Sequence, residues 1–209
     1  MDGVHILLDG VSQAEDDYLA TPPALLDWLL GTPLDMMAFT HGHADHFQPE
    51  FVRRYAEIYQ PPKLIGPQDV AAELEEYPVS TGCSKAGTVQ ITAIPSRHIG
   101  TQYKDIPHYS LFLRGSSTVW FMGDASPLQW QDQAKLPRPD LLIVPFAYAA
   151  TESAWQITEQ FGAGVVLLTH MPDREQDSAQ LWPAVEGVLT EHPEYEVLIP
   201  EMGETWTID

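Results

Sequence analysis

Residues 39–50 read FTHGHADHFQPE. Within six positions this stretch holds His41, His43, Asp45 and His46. An apolar, strand-like run (36–40) leads into it, and an amphipathic, helix-like run follows it. In an extended or turning loop between the two, alternate residues aim the same way. His41 and His43 can then converge on one point, and Asp45 and His46 on a second. Neutral imidazoles and carboxylates are the donors that Zn²⁺, Mn²⁺ and iron accept at neutral pH. Crowding imidazoles into a loop brings no packing advantage over apolar side chains, so metal ligation is the reading that explains the cluster.

Six residues cannot fill two coordination shells. The missing donors are expected at the ends of other apolar strands, and three such residues exist. His98 closes TVQITAIPSRH (88–98), Asp124 closes TVWFMGD (118–124) and His170 closes GVVLLTH (164–170). A single histidine at a strand end is usually a satisfied loop residue. Three candidates downstream of one His/Asp cluster favour ligation.

Short β-rich runs alternate with helical ones along the chain. Strands are predicted at 4–9, 36–40, 63–66, 88–94, 109–114, 118–123, 141–144, 165–169, 196–200 and 205–208. The pair 109–114 and 118–123, joined by GSS, reads as a hairpin. Helices are predicted at 22–30, 49–59, 67–76, 151–161 and 177–190, with Thr21 and Thr151 as N-caps. The alternation argues for a layered α/β domain, and 209 residues suffice for a single one spanning 1–209.

Thirty acidic against ten basic residues give a net charge of −20. Such a surface repels phosphate backbones and anionic membranes, so neither nucleic acid nor membrane is an expected partner. The longest apolar runs are about half a bilayer span. With no signal-like N-terminus, the expectation is a cytoplasmic protein. Cys83 is the sole cysteine, so no internal disulfide can form.

THGHADH resembles the His-x-His-x-Asp-His signature of the metallo-β-lactamase superfamily, and SRH, FMGDAS and LLTH resemble its later metal motifs. The resemblance runs from residue 4 to the C-terminus. Through VPFAYAATESAWQITEQFGAGVVLLTHMPD (144–173) it is most similar to the compact branch of ascorbate-6-phosphate lactonase-like proteins. It implies a four-layer αβ/βα sandwich with metals at one edge of two facing sheets. It further implies that His41, His43 and His98 hold one ion, that Asp45, His46 and His170 hold the other, and that Asp124 bridges them. Asp9, in ILLDG, matches an aspartate that orients a ligand histidine in the family; a plain turn residue is the alternative. Members usually have one or two strands ahead of this aspartate. Here eight residues precede it, so a shortened first sheet is expected. Its uncovered edge leaves a homo-oligomer open.

Two divalent ions about 3.5–4 Å apart lower the pKa of a bridging water and polarise the bond under attack. No Gly-x-Ser-x-Gly elbow competes, and Cys83 lies away from every ligand motif. The expectation is a small-molecule hydrolase acting on a lactone, ester or phosphoester. Its cofactors would be two divalent ions, Zn or Mn favoured and Fe allowed, with Asp45 or Asp124 steering the water's proton. Oxidative relatives usually replace the second signature histidine by glutamate, and position 43 is His. The alternatives are a phosphodiesterase or nuclease of the same superfamily and a non-catalytic metal-binding protein that keeps the fold. Arg97, Lys104 and His108, around the loop IGTQYKDIPHY (99–109), are candidates for holding an anionic group. Tyr103, Tyr109 and Tyr148 are candidates for ligand contact.

Overall fold

The computed structural model describes residues 1–14, 18–131 and 136–208. Among them the first sheet has four parallel strands: β1 (Ile6–Leu8), β2 (Met36–Ala38), β3 (Lys63–Ile65) and β4 (Val79–Ser80), in the order β1-β2-β3-β4. Connections between parallel strands need crossovers, and three helices supply or accompany them here: α1 (Pro23–Leu30), α2 (Pro49–Ile58) and α3 (Gln68–Glu73).

The second sheet has seven strands. β5 (Cys83–Ala86), β6 (Val89–Pro95), β7 (Tyr109–Arg114) and β8 (Thr118–Phe121) run antiparallel in succession. β9 (Leu141–Pro145), β10 (Val165–Thr169) and β11 (Val197–Leu198) then add in parallel. α4 (Glu152–Gln160) links β9 to β10, and α5 (Leu181–Glu191) links β10 to β11.

Side-chain alternation sorts these elements into four layers. In β2, Met36 and Ala38 join Ile65, Val89, Ile91, Leu111, Leu113 and Phe121 between the two sheets. Met37 and Phe39 point the other way, into a core with Leu29, Phe51, Val52, Tyr55 and Val70 of the first three helices. Phe112, Trp120, Leu142 and Val144 turn to the far side of the second sheet. There they meet Trp155 and Ile157 of α4, Phe161 at its C-terminal end and Val185 of α5. Met36 and Met37 are both fully buried, and burying each such side chain contributes about 1.5–3 kcal/mol. This is the expected αβ/βα sandwich.

The predicted hairpin is β7–β8, and Thr151 caps α4 by accepting from the Ala154 N–H. Thr21 is not a cap: α1 starts after Pro22, and the Thr21 hydroxyl bonds Ser12 instead. Residues 205–208 form no strand, and Thr205, Trp206 and Thr207 are exposed. β4 and β5, both unpredicted, flank the turn at 81–82. β1 forms one edge of its sheet. No helix among the described residues is long and apolar enough to cross a membrane.

Candidate metal centre

Every predicted donor sits just beyond the carboxyl end of a strand. His41, His43, Asp45 and His46 follow β2, His98 follows β6, Asp124 follows β8 and His170 follows β10. Strands β6, β8 and β10 point the same way in the second sheet, so their ends share one edge. Cross-links hold that edge together. The Tyr109 N–H donates to the Thr40 carbonyl across the two sheets at 2.8 Å, and the Ile99 N–H donates to the Asp124 carbonyl at 2.8 Å. Gly123 has φ +51°, and a Cβ there would meet Thr40 Oγ1 at 2.5 Å. Only glycine allows so close an approach in that conformation.

The result is one dense polar cluster. His41, His46, His98 and Asp124 are buried, while His43, Asp45 and His170 are partly exposed. Three groups of donor atoms lie within 4.8 Å of one another: His41, His43 and His98; His41, Asp45 and His46; and His46, Asp124 and His170. Asp124 stands between them. Its Oδ2 is 3.5 Å from His98 Nε2 and 3.4 Å from His170 Nε2, and its Oδ1 is 3.5 Å from His46 Nε2.

Hydrogen bonds behind the cluster fix which ring nitrogens face inward. Asp9 accepts from the Thr40 N–H (2.7 Å) and from the Thr40 hydroxyl (2.7 Å), and its Oδ2 lies 2.9 Å from His46 Nδ1. A carboxylate only accepts, so His46 carries its proton on Nδ1 and turns Nε2 inward. Thr40 has given its one proton to Asp9. At 2.9 Å from His41 Nδ1 it can therefore only accept, and His41 too turns Nε2 inward. His98 Nδ1 faces the Ile99 carbonyl at 2.6 Å and donates to it. Burial, with the neighbouring His46 and His108 rings, holds His41 well below the ordinary imidazole range, and burial likewise lowers His98. Both rings are neutral, so two bare Nε2 lone pairs face each other at 3.3 Å. Only an electrophile between them relieves that contact. His46 Nε2 and Asp124 Oδ1 are also buried without a hydrogen-bond partner. The residues present therefore fit a divalent metal centre.

Electrostatics agree. Burial opposes the charge on Asp45, but His170 and His46 outweigh it and hold the carboxyl well below its usual range. Asp124 is held low in the same way, against burial, by His46 and His170. Burial also opposes a charge on His46, yet the carboxylates of Asp124, Asp45 and Asp9 raise it well above the ordinary range. Asp9 and His170 both adopt left-handed backbone, φ +50° and +55°, a conformation uncommon outside glycine and often found at functional sites.

The structure redistributes the other candidates. His108 is not on the surface loop holding an anion: it is buried, its Nδ1 2.7 Å from Ser96 Oγ, and its Nε2 accepts the Asp124 N–H at 3.1 Å. Burial pushes its pKa down to about 3, so it stays a neutral acceptor. His108 is a positioning residue for Asp124. Its replacement by leucine should weaken metal binding about tenfold, the lower end of what such supporting partners contribute; unchanged affinity in a chelator competition would refute that role.

Tyr148 does not face the site either. It is fully buried against α4, its hydroxyl accepts from Trp130 Nε1 at 2.8 Å, and burial pushes its pKa up. Tyr109 is tied to the Thr81 carbonyl (2.9 Å). Arg97 and Lys104 are exposed. Tyr103, besides the buried His108, reaches the cluster from the 99–109 loop, its ring 5.1 Å from His43 and 4.9 Å from His98.

A cavity of about 340 Å³ opens on the opposite side, with Asp45, His46, Asp124 and His170 on its wall. Much of the rest of the wall comes from residues the sequence did not single out: Leu8, Ser12, Tyr18, Leu19, Leu25, Phe121, Met171 and Met202. Tyr18 packs edge-on against His170 at 4.3 Å. Thr40 and Asp69, which accepts the Gly42 N–H at 3.2 Å, were also unmarked. A hydroxyl directly before a ligand-type histidine was the one available signal for Thr40.

The family described as "Beta-lactamase superfamily domain" matches residues 5–171. Among curated proteins no sequence matches. Similar solved structures include a possible metal-dependent hydrolase from Veillonella parvula, with 15% identity over 99% of this chain and 94% of that one and a TM-score of 0.70. A metallo hydrolase from the archaeon Ignicoccus hospitalis has 21% identity over 90% and 84%, with a TM-score of 0.64. An isothiocyanate hydrolase from Delia radicum gut bacteria has 16% identity over 98% and 92%, with a TM-score of 0.65. At these identities the likeness to solved structures is one of fold.

Proposed function

Because the chain belongs to the β-lactamase superfamily, we propose that it is a metal-dependent hydrolase that cleaves a small-molecule lactone, ester or phosphoester at a two-ion centre. The observation that carries this reading is Asp124, whose carboxylate lies 3.5 Å from His98 and 3.4 Å from His170, between two groups of inward-facing donors. His41, His43 and His98 would hold one ion, Asp45, His46 and His170 the other, and Asp124 both. Bound divalent ions supply a Lewis acid and make water acidic near neutral pH.

The chain's own residues supply the rest. Asp45 and Asp124 are ionised and can each accept a proton from an attacking water. Asp45 lies on the cavity wall with one oxygen 3.2 Å from His170 Nε2, so a proton taken there stays beside the reacting centre. Asp9 and Thr40 hold His46 and His41 in the ligating tautomer, and His108 holds the Asp124 backbone.

Elemental analysis of protein purified without chelator should find close to two divalent ions per chain, Zn or Mn favoured. His98→Ala and His170→Ala should each lower the count to about one, and the wild-type protein should turn over at least one class in a panel of lactones, esters and phosphoesters. Metal-free protein, or metal-loaded protein inert on the whole panel, would overturn the proposal. Preferential cleavage of phosphodiester polymers would favour the nuclease reading instead.

A further inference from the structure

The cavity beside the metal centre also restricts what can enter it. Four of the proposed metal-binding residues form one wall. Away from them the lining is mostly apolar, with Leu8, Leu19, Leu25, Phe121, Met171 and Met202 beside the ring of Tyr18. No lysine or arginine lines it among the described residues. The polar groups on that side already have partners: Ser12 and Thr21 hydroxyls lie 3.0 Å apart, and Ser12 also donates to the Leu19 carbonyl at 3.2 Å. Leu19, Met171 and Met202 continue into a second hollow, where Asp173, Glu175 and Glu201 outnumber Arg174. Arg174 is itself engaged, bonding Glu186 at 3.0 Å and stacking 3.6 Å over the Trp182 ring.

An anionic substituent seated away from the metal wall would lose its hydration and meet no lysine or arginine, while acidic side chains repel it from beyond. An apolar substituent would gain the ordinary free energy of burial. The volume of about 340 Å³ falls in the range of small-ligand sites. We infer that the substrate is an uncharged lactone or ester whose apolar group seats in this chamber, rather than a phosphorylated or carboxylated molecule. This inference rests on the hydrolase reading above and narrows its substrate class.

Alkyl hydroxamates test it directly, because the hydroxamate anchors on the metals and the tail samples the chamber. With metal-loaded protein, titration calorimetry from acetohydroxamate to hexanohydroxamate should show affinity rising about three- to fourfold per methylene buried. A hydroxamate of the same length ending in carboxylate should lose most of that gain. Leu19→Arg, at a residue 44% exposed, should reverse the preference toward the carboxylate probe and leave metal content unchanged.

Affinity independent of chain length, or tighter binding of the carboxylate probe by the wild-type protein, would overturn the inference while leaving the hydrolase proposal standing. Hydrolysis of phosphorylated substrates in preference to uncharged lactones and esters would do the same. Protein that carries no metal would overturn both.

Discussion

Asp124→Ala should empty the metal centre and lower kcat/KM by about a thousandfold. The carboxylate lies within 3.5 Å of His46, His98 and His170 together. Without it the inward-facing imidazoles lose the negative charge that two divalent cations need nearby. Metal Lewis acidity is worth several kcal/mol to a hydrolytic transition state, and about 4 kcal/mol corresponds to roughly a thousandfold in rate. The substitution leaves the Asp124 N–H bonded to His108 and the Asp124 carbonyl bonded to the Ile99 N–H, so the loop should keep its path. Metal content by elemental analysis, kcat/KM and circular dichroism measured on one preparation check this. A folded variant that retains two ions, or loses less than tenfold in kcat/KM, would remove Asp124 from its proposed place.

Asp9→Asn should weaken metal binding about 10- to 100-fold, although Asp9 touches no proposed ion. The carboxylate accepts three protons, from the Thr40 N–H, the Thr40 hydroxyl and His46 Nδ1. An amide of the same shape offers one oxygen and one NH₂. If the oxygen keeps the Thr40 N–H, the NH₂ faces His46 and pushes its proton onto Nε2. Thr40, released from Asp9, can then donate to His41 Nδ1, which moves the His41 proton inward as well. One isosteric change thereby blocks a donor in each proposed set. The flipped amide instead sets NH₂ against the Thr40 N–H and is no better. Metal affinity from chelator competition is the measurement. An Asp9→Asn affinity within twofold of wild type would show that the tautomers are set elsewhere.

The sequence shows the proposed ligands because each falls at the point where an apolar strand pattern stops, as His98, Asp124 and His170 do. The fold was legible for the same reason: alternation in β2, β7 and β8 marks two buried faces. What it hid follows from physics that local patterns do not carry. β4 and β5 are short and polar in text, and they are strands because β3 and β6 offer them partners. TWTI has strand composition but pairs with no strand among the described residues. His108 and Tyr148 looked like residues of an exposed loop. Whether a histidine donates to water or accepts the N–H of Asp124 depends on what folds over it, and a Tyr in a Pro-aromatic turn points inward once α4 covers it. The chamber was hidden for a related reason: its wall is assembled from distant segments, with Leu19, Phe121 and Met202 each unremarkable alone.

The proposed ligands are divided between the two sheets: His41, His43, Asp45 and His46 come from one, and His98, Asp124 and His170 from the other. Neither sheet by itself offers an ion a complete set. An ion that binds the docked sheets and not the open chain acts as a clasp, and its free energy of binding becomes free energy of folding. At a free concentration a hundredfold above the dissociation constant, each ion would add about 2.7 kcal/mol of stability, a sizeable fraction of what holds a domain of this size together. The metal supply would then govern how long the sandwich stays shut as well as how fast it works.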